Sequence, residues 1–459
     1  MNIVDGNSLP VDLPSDLLGP IASFLPKNDV LALQQSCKIM AQCATELLAG
    51  REEAHIEKWL RKAIQENAEP YLMRSLLPLA PKIRSLNLSG LSISPEWMEL
   101  IVQYFPDLQT LNLEGCRISD EAISRLEHCK KLIELCLNGT AITGAEFDKL
   151  PRTIAKLELW GCRQLTDVAI AKLEGMALIE LDLRWTTITG SEFDKLPRTI
   201  NKLVLEVCRR LSDVSLAKLA GMALVELSLY NTAITGAEFD KLPRTITQLF
   251  LKRCRRLSDA ALAKLKGMAL VALDLSNTAI TGVEFGKLPR TITKLVLSCC
   301  RRLNDAVLAK LRGMVLVALD LSNTAITGIE FDTLPRTIAK LDLWNCCYLT
   351  DVALGKLVGM ALIELDLRWT TITGSEFDKL PRTITKLVLQ ICRQLTDAAL
   401  GKLVGMALVE LDLYWTNITG AEFDKLPRTI TKLFLKKCHR LSDVAFAQLS
   451  DRSEIIFTI

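Results

Sequence analysis

The chain has 459 residues, of which 49% are hydrophobic, and its 56 Lys and Arg nearly balance 53 Asp and Glu. This balance, without a long basic run, argues against nucleic-acid binding. No apolar run approaches the roughly 18 to 20 residues of a membrane span, and the amino terminus lacks the basic and apolar regions of a cleavable signal peptide. We therefore expect a chain with neither nucleic acid nor membrane as a partner.

The first 80 residues do not repeat, and they divide into three predicted parts. Residues 1–11 are a flexible N-terminus, residues 12–50 are a helical segment, and residues 51–80 are a helical linker or N-terminal cap. In the second part, apolar residues recur at helical spacing. They are Leu13, Leu17, Leu18, Ile21, Leu25 and Leu31, with Pro14 after the first.

Residues 13–44, LPSDLLGPIASFLPKNDVLALQQSCKIMAQCA, resemble an F-box. In that family the motif packs against a Skp-type adaptor and so joins a cullin-RING ubiquitin ligase. The resemblance implies that the seven residues named above form the adaptor-binding surface. Without the family, this segment and the helix around residues 52–65 are amphipathic elements that could simply cap the repeats that follow.

Residues 81–459 are built from a repeat of 46 residues. The block TGxEFDKLPRTITKLxL places a glycine at Gly144, Gly190, Gly236, Gly282, Gly328, Gly374 and Gly420. Each unit contains a coil of 24 and a coil of 22 residues, because the pair Leu157 and Leu159 recurs as Leu181 and Leu183 and again as Leu203 and Leu205. This period and the LxxLxL pattern match the leucine-rich repeat. We predict an α/β solenoid with a curved parallel β-sheet, short helices on its convex face, about 16 repeats and a final strand at Phe457.

The two coils differ in their local signals. The longer coil resembles the cysteine-containing repeats of F-box proteins, and the shorter one resembles the repeats of bacterial effectors such as the IpaH family. Thr166 is placed to cap a helix, with Asp167 beside the positive end of the helix dipole. Thr189 and Glu192 have the spacing of a capping box, and Pro197 returns the chain toward the next strand. We expect longer and shorter helical segments to alternate.

The cysteines indicate a reducing compartment, and hence the cytoplasm. Eight occupy one repeat position: Cys116, Cys162, Cys208, Cys254, Cys300, Cys346, Cys392 and Cys438. Neighbours in this ladder are two strands, roughly 9 to 10 Å, apart, which is too far for a disulfide. We interpret them as small buried hydrophobes, with threonines such as Thr140 and Thr186 in the same place in the short coils.

The sequence predicts no metal, no cofactor and no catalytic site. The three histidines, His55, His128 and His439, lie in no ligand-like cluster. The chain has no GxSxG, phosphate loop or HExxH motif. Two arginine series line the coil edges, one with Arg163 and Arg393 and the other with Arg152 and Arg382, but the acidic sheet face argues against a nucleic-acid role.

The predicted concave sheet face carries the candidate partner-binding residues. One column alternates Lys and Glu, which favours a register-holding ladder, and a second is acidic. Large aromatic residues fall in the two most variable columns, where exposed Trp, Tyr and Arg are typical of binding hot spots. The candidates are Trp160, Asp182, Arg184, Trp185 and Tyr230 in one patch and Trp344, Asp366, Arg368, Trp369, Asp412, Tyr414 and Trp415 in the other. The alternative is that the aromatic rings stack on each other and on Arg184 and Arg368 to shield the sheet.

An F-box-like segment followed by leucine-rich repeats resembles the F-box substrate adaptors and the bacterial effectors of the GALA kind. The resemblance implies a monomeric adaptor that binds a target protein on its concave face and recruits it to a Skp and cullin ligase. A bacterial source would imply secretion into a host cell without a cleavable signal peptide. The competing hypothesis is a scaffold or inhibitor that binds a protein partner without any link to ubiquitination.

Overall fold

The structure, a computed structural model, describes residues 53–66, 83–450 and 456–458. The predictions for residues 1–50, the F-box-like segment among them, lie outside these residues. The chain divides into two compact units, Met1–Arg210 with Gly221–Leu224 and Leu211–Ala220 with Val225–Ile459. Each unit contains parallel β-strands.

In its described residues the first unit has a parallel sheet of three-residue strands and a second sheet of two short strands. The main strands are β1 (Ser85–Asn87), β3 (Thr110–Asn112), β5 (Glu134–Cys136), β6 (Lys156–Glu158), β7 (Glu180–Asp182) and β8 (Lys202–Val204), and the others are β2 (Ser92–Ile93) and β4 (Arg117–Ile118). The helices are α1 (Glu53–Gln65), α2 (Pro95–Tyr104), α3 (Asp120–Ser124) and α4 (Asp167–Ala171), with 3-10 turns at Arg125–His128, Phe147–Lys149 and Phe193–Lys195.

The second unit continues the same pattern. Its parallel strands are β9 (Glu226–Ser228), β10 (Gln248–Phe250), β11 (Ala272–Asp274), β12 (Lys294–Val296), β13 (Ala318–Asp320), β14 (Lys340–Asp342), β15 (Glu364–Asp366), β16 (Lys386–Val388), β17 (Glu410–Asp412), β18 (Lys432–Phe434) and β19 (Ile456–Thr458). The helices are α5 (Asp213–Ala217), α6 (Asp259–Lys264), α7 (Asp351–Gly355), α8 (Asp397–Gly401) and α9 (Asp443–Ser450), and the 3-10 segments are Phe239–Lys241, Phe285–Lys287, Asp305–Leu311, Phe331–Thr333, Phe377–Lys379 and Phe423–Lys425.

The repeated leucines build the core and hold the strands in register. Within each unit neighbouring strands pair leucine to leucine, as Leu157 does with Leu181, and Leu433 pairs with Phe457 on the predicted final strand. Leu157 and Leu159 are fully buried, as is Phe193 in the short coil. Burying each such side chain contributes about 1.5 to 3 kcal/mol. The predicted solenoid is confirmed, with an α-helix in most long coils and a 3-10 turn in the short ones.

The cysteine ladder is buried and reduced in the described part of the chain. Cys208 Sγ donates to the Leu183 carbonyl at 3.1 Å, and the Thr186 hydroxyl donates to the same carbonyl at 2.7 Å. Burial raises the pKa of the Cys208 thiol to about 11. The interpretation of these cysteines as small buried residues is confirmed, and each also hydrogen-bonds to the preceding coil.

An aspartate at the start of the long-coil helix bonds to the next coil. Asp167 accepts from the Thr189 amide at 3.0 Å, the Thr189 hydroxyl at 3.0 Å and the Gly190 amide at 2.7 Å. The same arrangement recurs at Asp120, Asp213, Asp259, Asp305, Asp351 and Asp397. The capping box expected for Thr189 and Glu192 is therefore wrong, because that turn has no side-chain cap and the Thr189 hydroxyl serves Asp167 instead. Thr166 does cap α4, through a 3.3 Å bond from the Ala169 amide.

The glycine of each repeat has a steric reason. Gly236 has φ +79, and a Cβ there would lie 2.4 Å from the Ala261 Cβ in the following coil. Only glycine combines this left-handed backbone with so close an approach. The 46-residue spacing of the glycines therefore records a contact between coils.

The helix α1 covers the outer edge of β1. Arg61 donates from Nη1 to the Asn87 carbonyl at 3.0 Å and from Nη2 to the Ser89 carbonyl at 2.9 Å. Glu57 accepts from the Asn87 amide at 3.1 Å, and Leu60 is fully buried. An edge strand would otherwise leave these groups unpaired. The helix thus acts as a cap for the first repeat.

Two kinds of feature are absent from the described residues. None of their helices combines the length and the apolar character that crossing a bilayer requires. Within the same residues, no three His, Cys, Asp or Glu side chains converge as the ligands of a metal ion would.

Candidate functional site

We define the sheet face as four side chains from each coil: the first and third residues of the strand and the second and third residues after it. For β7 these are Glu180, Asp182, Arg184 and Trp185. Since neighbouring strands pair in register, equivalent residues form four columns within each unit. Every candidate partner-binding residue from the sequence lies in one of these columns.

The first column is the Lys and Glu ladder. Lys340 reaches Glu364 on the next strand at 2.8 Å, and Lys386 reaches Glu410 at 2.6 Å. In the first unit Lys156 instead pairs with Glu158 on its own strand at 2.7 Å. Such exposed pairs contribute about 0.2 to 1 kcal/mol each. The predicted ladder therefore joins strands between β14 and β15 and between β16 and β17, but Lys156 does not join β6 to β7.

The second column is acidic and shapes the ends of the strands. Asp320, Asp342 and Asp366 stand opposite one another on β13, β14 and β15. Each accepts from the amide two residues later, as Asp342 does from Trp344 at 2.9 Å. Burial, and then the charges of Asp320 and Asp366, raise the pKa of Asp342 to about 6. This column is first of all a turn-forming device.

The arginines of the third column pair with carboxylates. Arg184 Nε lies 2.8 Å from Asp182 Oδ2, and Arg368 Nε lies 2.7 Å from Asp366 Oδ2. In the part of the chain that the structure describes, neither guanidinium covers a tryptophan ring. The alternative in which Arg184 and Arg368 stack on the tryptophans is therefore wrong for these two residues.

Three tryptophans of the fourth column have a left-handed backbone. Trp185, Trp369 and Trp415 have φ of 58, 58 and 54 degrees. Several coils place glycine or asparagine at this position, as at Gly139 and Asn277, which adopt this conformation readily, and the remaining coils place Val207, Arg253, Cys299, Ile391 and Lys437 there. For tryptophan the conformation costs about 1 to 2 kcal/mol. The repeat imposes this conformation on every residue type in the column, so the argument for a functional role rests on the size and exposure of the indole rings.

These rings are also exposed. Trp185 is 48% exposed, Trp369 is 51% exposed and Trp415 is 38% exposed. Trp160 and Trp344 in the third column are 41% and 38% exposed. Half-exposed indole rings on a sheet are typical of binding surfaces rather than of a core.

In the first unit Trp160 and Trp185 follow the adjacent strands β6 and β7. Tyr230, which the sequence grouped with them, lies in the second unit at the end of β9. There Arg253 donates from Nη1 to the Tyr230 hydroxyl at 2.9 Å, and its guanidinium lies 5.8 Å from the ring centre. The patch predicted from Trp160, Trp185 and Tyr230 thus stays a prediction.

In the second unit the candidate residues other than Tyr230 lie on the strands β14 to β17 or just after them. Trp344 and Trp369 follow adjacent strands, and Tyr414 and Trp415 meet edge to face with ring centres 6.3 Å apart. Two cations that the sequence did not select as site residues join them. Arg393 lies 5.2 Å from the Trp415 ring centre and Lys437 lies 5.0 Å from it. We call Trp344, Trp369, Tyr414 and Trp415 the aromatic patch.

The second arginine series has a structural role. Arg244 donates to the Lys266 carbonyl at 3.0 Å and Arg290 donates to the Arg312 carbonyl at 2.6 Å, each just before a glycine of the long coil. These bonds pair carbonyl groups that the end of a helical segment leaves without an amide partner. The series therefore needs no ligand to explain it.

A sequence profile and several solved structures are similar to this chain. A profile of the leucine-rich repeat matches residues 106–126, and no curated protein matches the chain in sequence. A leucine-rich-repeat protein of Leptospira interrogans is similar in structure, with TM-score 0.60 and 20% identity, over 89% of this chain and 99% of that one. An internalin of Listeria monocytogenes gives TM-score 0.35 and 17% identity, over 88% of this chain and 93% of that one. The plant peptide hormone receptor RGFR1 in complex with RGF2 gives TM-score 0.47 and 19% identity, over 82% of this chain and 66% of that one.

At this level of identity the Leptospira protein shows the fold alone. Together with the matching profile and the repeated parallel strands, it establishes this chain as a leucine-rich-repeat solenoid.

Proposed function

We propose that this chain is a non-enzymatic protein-binding module whose partner lies on the sheet face of the second unit, across the aromatic patch. The observation that carries the proposal is the pair Trp369 and Trp415, whose indole rings are 51% and 38% exposed on the sheet face. Large aromatic side chains that stay exposed and fill no core are typical of an interaction surface. Tryptophan, tyrosine and arginine dominate the energetics of protein interfaces.

The charged residues beside the aromatic patch would orient the partner. Arg368 is already paired with Asp366, and Asp412 accepts from Gln390 Nε2 at 2.5 Å, so these groups have partners before binding. Charges of this kind at the rim contribute more to orientation than to affinity. In the first unit Trp160, Trp185, Asp182 and Arg184 would form a second contact region, and in the second unit Tyr230 bonds to Arg253.

A capture experiment tests this surface. The intact chain and a Trp369→Ala, Trp415→Ala double variant would be compared for the proteins they retain from an extract. Tyr348→Ala supplies a matched control, because Tyr348 is 67% exposed but lies outside the sheet face. We expect a specific partner to be lost with the double variant and kept with the control. Equal retention by all three proteins would contradict the proposal.

We propose further that residues 13–44 act as an F-box, so that the chain is a cytoplasmic substrate adaptor of a Skp and cullin ligase and, in a bacterium, an effector secreted into a host. The support is the sequence resemblance. One observation favours the alternative of a scaffold or inhibitor: α1, the described helix that precedes the repeats, serves as a cap through Arg61 and Glu57.

Co-purification with a Skp-type adaptor separates these two functions. Changing Leu13 and Pro14 together to Ala should abolish retention of the adaptor and leave the thermal unfolding of the repeats nearly unchanged. If the unmodified chain retains no adaptor, the F-box proposal is contradicted and the scaffold or inhibitor function remains.

A further inference from the structure

The end of the second unit's sheet face carries cations without carboxylate partners. Arg393, Lys436 and Lys437 are all exposed. In the described part of the chain none of them lies within ion-pair distance of Asp or Glu, whereas nearby Lys386 and Arg368 are paired. Their charge is therefore available to a ligand.

Aromatic rings fix two of these cations in place. The Trp415 ring has the Arg393 guanidinium 5.2 Å from its centre and the Lys437 ammonium 5.0 Å from it. The same ammonium lies 5.6 Å from the Tyr414 ring centre. Exposed contacts of this kind restrict a long side chain without neutralising its charge. The charges are thus partly ordered before any ligand arrives.

The pair of aromatic rings distinguishes this end of the sheet face from an earlier copy of the repeat. Trp415 and Lys437 have φ of 54 and 62 degrees, a left-handed conformation that Arg253 and Ile391 share in other coils. Four units earlier, the equivalents of Tyr414 and Trp415 are Tyr230 and Asn231, so that copy has no indole. The combination of two aromatic rings and clustered cations is therefore specific to β16–β18.

We propose that Arg393, Lys436 and Lys437, with Tyr414 and Trp415, dock an acidic extended segment of the partner protein. This inference rests on the proposed function and names the chemistry of the partner at one end of the aromatic patch. Carboxylates would accept charge-assisted hydrogen bonds from the three cations while an apolar side chain packs on the rings. The strands β16 to β18 cover roughly 10 Å, a distance that three or four extended residues span.

An acidic peptide fits this surface better than a nucleic acid. A polynucleotide continues beyond any cluster of this size, and here it would next meet Glu410, Asp412 and Asp366 on the same face. Like charges at close range oppose a continuous phosphate backbone. A short acidic segment can end before those carboxylates.

Selection from a displayed library of random 12-residue peptides on the intact chain tests the inference. We expect enrichment of peptides with Asp or Glu beside an apolar residue. A selected peptide should bind at least tenfold more weakly to an Arg393→Gln, Lys437→Gln variant and more weakly as salt rises. Arg255→Gln is the control, since Arg255 is exposed at the same repeat position three units earlier and should change binding less than twofold.

The outcomes separate this inference from the proposed function. Peptides that lose binding with Trp369→Ala but not with the Arg393 and Lys437 variant would overturn the acidic segment and keep the aromatic patch. Peptides indifferent to both changes would overturn the aromatic patch as well. Selected peptides without acidic residues, a library without binders, or tighter binding of a 12-residue oligothymidylate than of any selected peptide would each overturn the acidic-peptide assignment.

Discussion

The contact between coils at Gly236 predicts a difference between two glycine substitutions that look alike in sequence. Gly236→Ala and Gly267→Ala both place a Cβ on a left-handed backbone, with φ of +79 and +81 degrees. At Gly267 the new Cβ meets nothing within 4 Å. At Gly236 it meets the Ala261 Cβ at 2.4 Å and the Phe239 ring at 3.0 Å. The pair therefore separates the backbone cost from the packing cost.

The magnitudes follow from these contacts. The left-handed backbone costs alanine about 1 to 2 kcal/mol, partly offset by about 0.4 to 1 kcal/mol from the less flexible unfolded chain. Gly267→Ala should thus lose about 1 kcal/mol. Gly236→Ala adds an overpacking cost of about 1 to 3 kcal/mol, because Ala261 is buried and the coils must separate. Its total loss should be about 2 to 4 kcal/mol.

Urea unfolding of the full chain, followed by circular dichroism, measures the two losses. Repeat proteins unfold with nearest-neighbour coupling, so hydrogen exchange of the amides around Asp213 and Gly236 should accompany the midpoints. Exchange there should accelerate in Gly236→Ala, since the 2.7 Å bond from the Gly236 amide to Asp213 would lengthen. Equal losses for the two variants would refute the steric explanation of the repeated glycine.

Three further predictions concern the repeat and its charges. Asp259→Ala removes acceptors for the Thr281 amide at 3.0 Å, the Thr281 hydroxyl at 3.0 Å and the Gly282 amide at 2.8 Å. The variant should lose about 2 to 4 kcal/mol of unfolding free energy in urea. An unchanged free energy would mean that water replaces the carboxylate. Cys254→Ser should lose about 1 to 3 kcal/mol of unfolding free energy, because it buries a hydroxyl where a thiol packs. In the native protein a thiol reagent should label the exposed Cys347 before the buried ladder cysteines. Rapid labelling of the whole ladder would contradict this prediction. Burial raises the pKa of Asp342 in the folded protein to about 6, whereas an aspartate in the unfolded chain has a pKa of about 4. As pH rises from about 4 to 6, the unfolded chain therefore releases a proton that the folded protein still holds, and stability should fall. The total loss above pH 6 should be about 1 kcal/mol, after allowance for solvent screening. Asp342→Asn should flatten that slope and raise the midpoint at pH 7 to 8, and an unchanged slope would show that other groups cause it.

The sequence alone predicts the sheet well, because its signals are periodic. Leucines such as Leu157 and Leu181 recur in a pattern that only in-register parallel strands bury. The sequence does not predict the hydrogen bonds that Asp167 accepts from Thr189 and Gly190. The reason is physical, because each of these residues also fits a local role in its own coil, and the bonds join residues 22 to 23 positions apart in different coils.

The candidate site shows the same division. The sequence predicts the aromatic column. It also carries a signal for the left-handed backbone at Trp369, because Asn277 and Asn323 occupy the equivalent position in other repeats. It does not predict the approach of Arg393 and Lys437 to the Trp415 ring, because that approach depends on the conformations of side chains from three coils. Periodicity predicts the backbone position of a residue but not the conformation of a long side chain.

The most direct test of the proposed function is the dissociation constant of one purified partner for the intact chain, Trp369→Ala and Ser276→Ala. Ser276 is buried on the same face, where its hydroxyl donates to Asp274 at 2.5 Å, so it offers a partner no contact. Binding on the aromatic patch predicts a loss of about 2 kcal/mol, or roughly 30-fold, for Trp369→Ala and less than twofold for Ser276→Ala. Equal and small losses for both would show that the aromatic rings only shield the sheet, and would place the binding surface elsewhere on the chain.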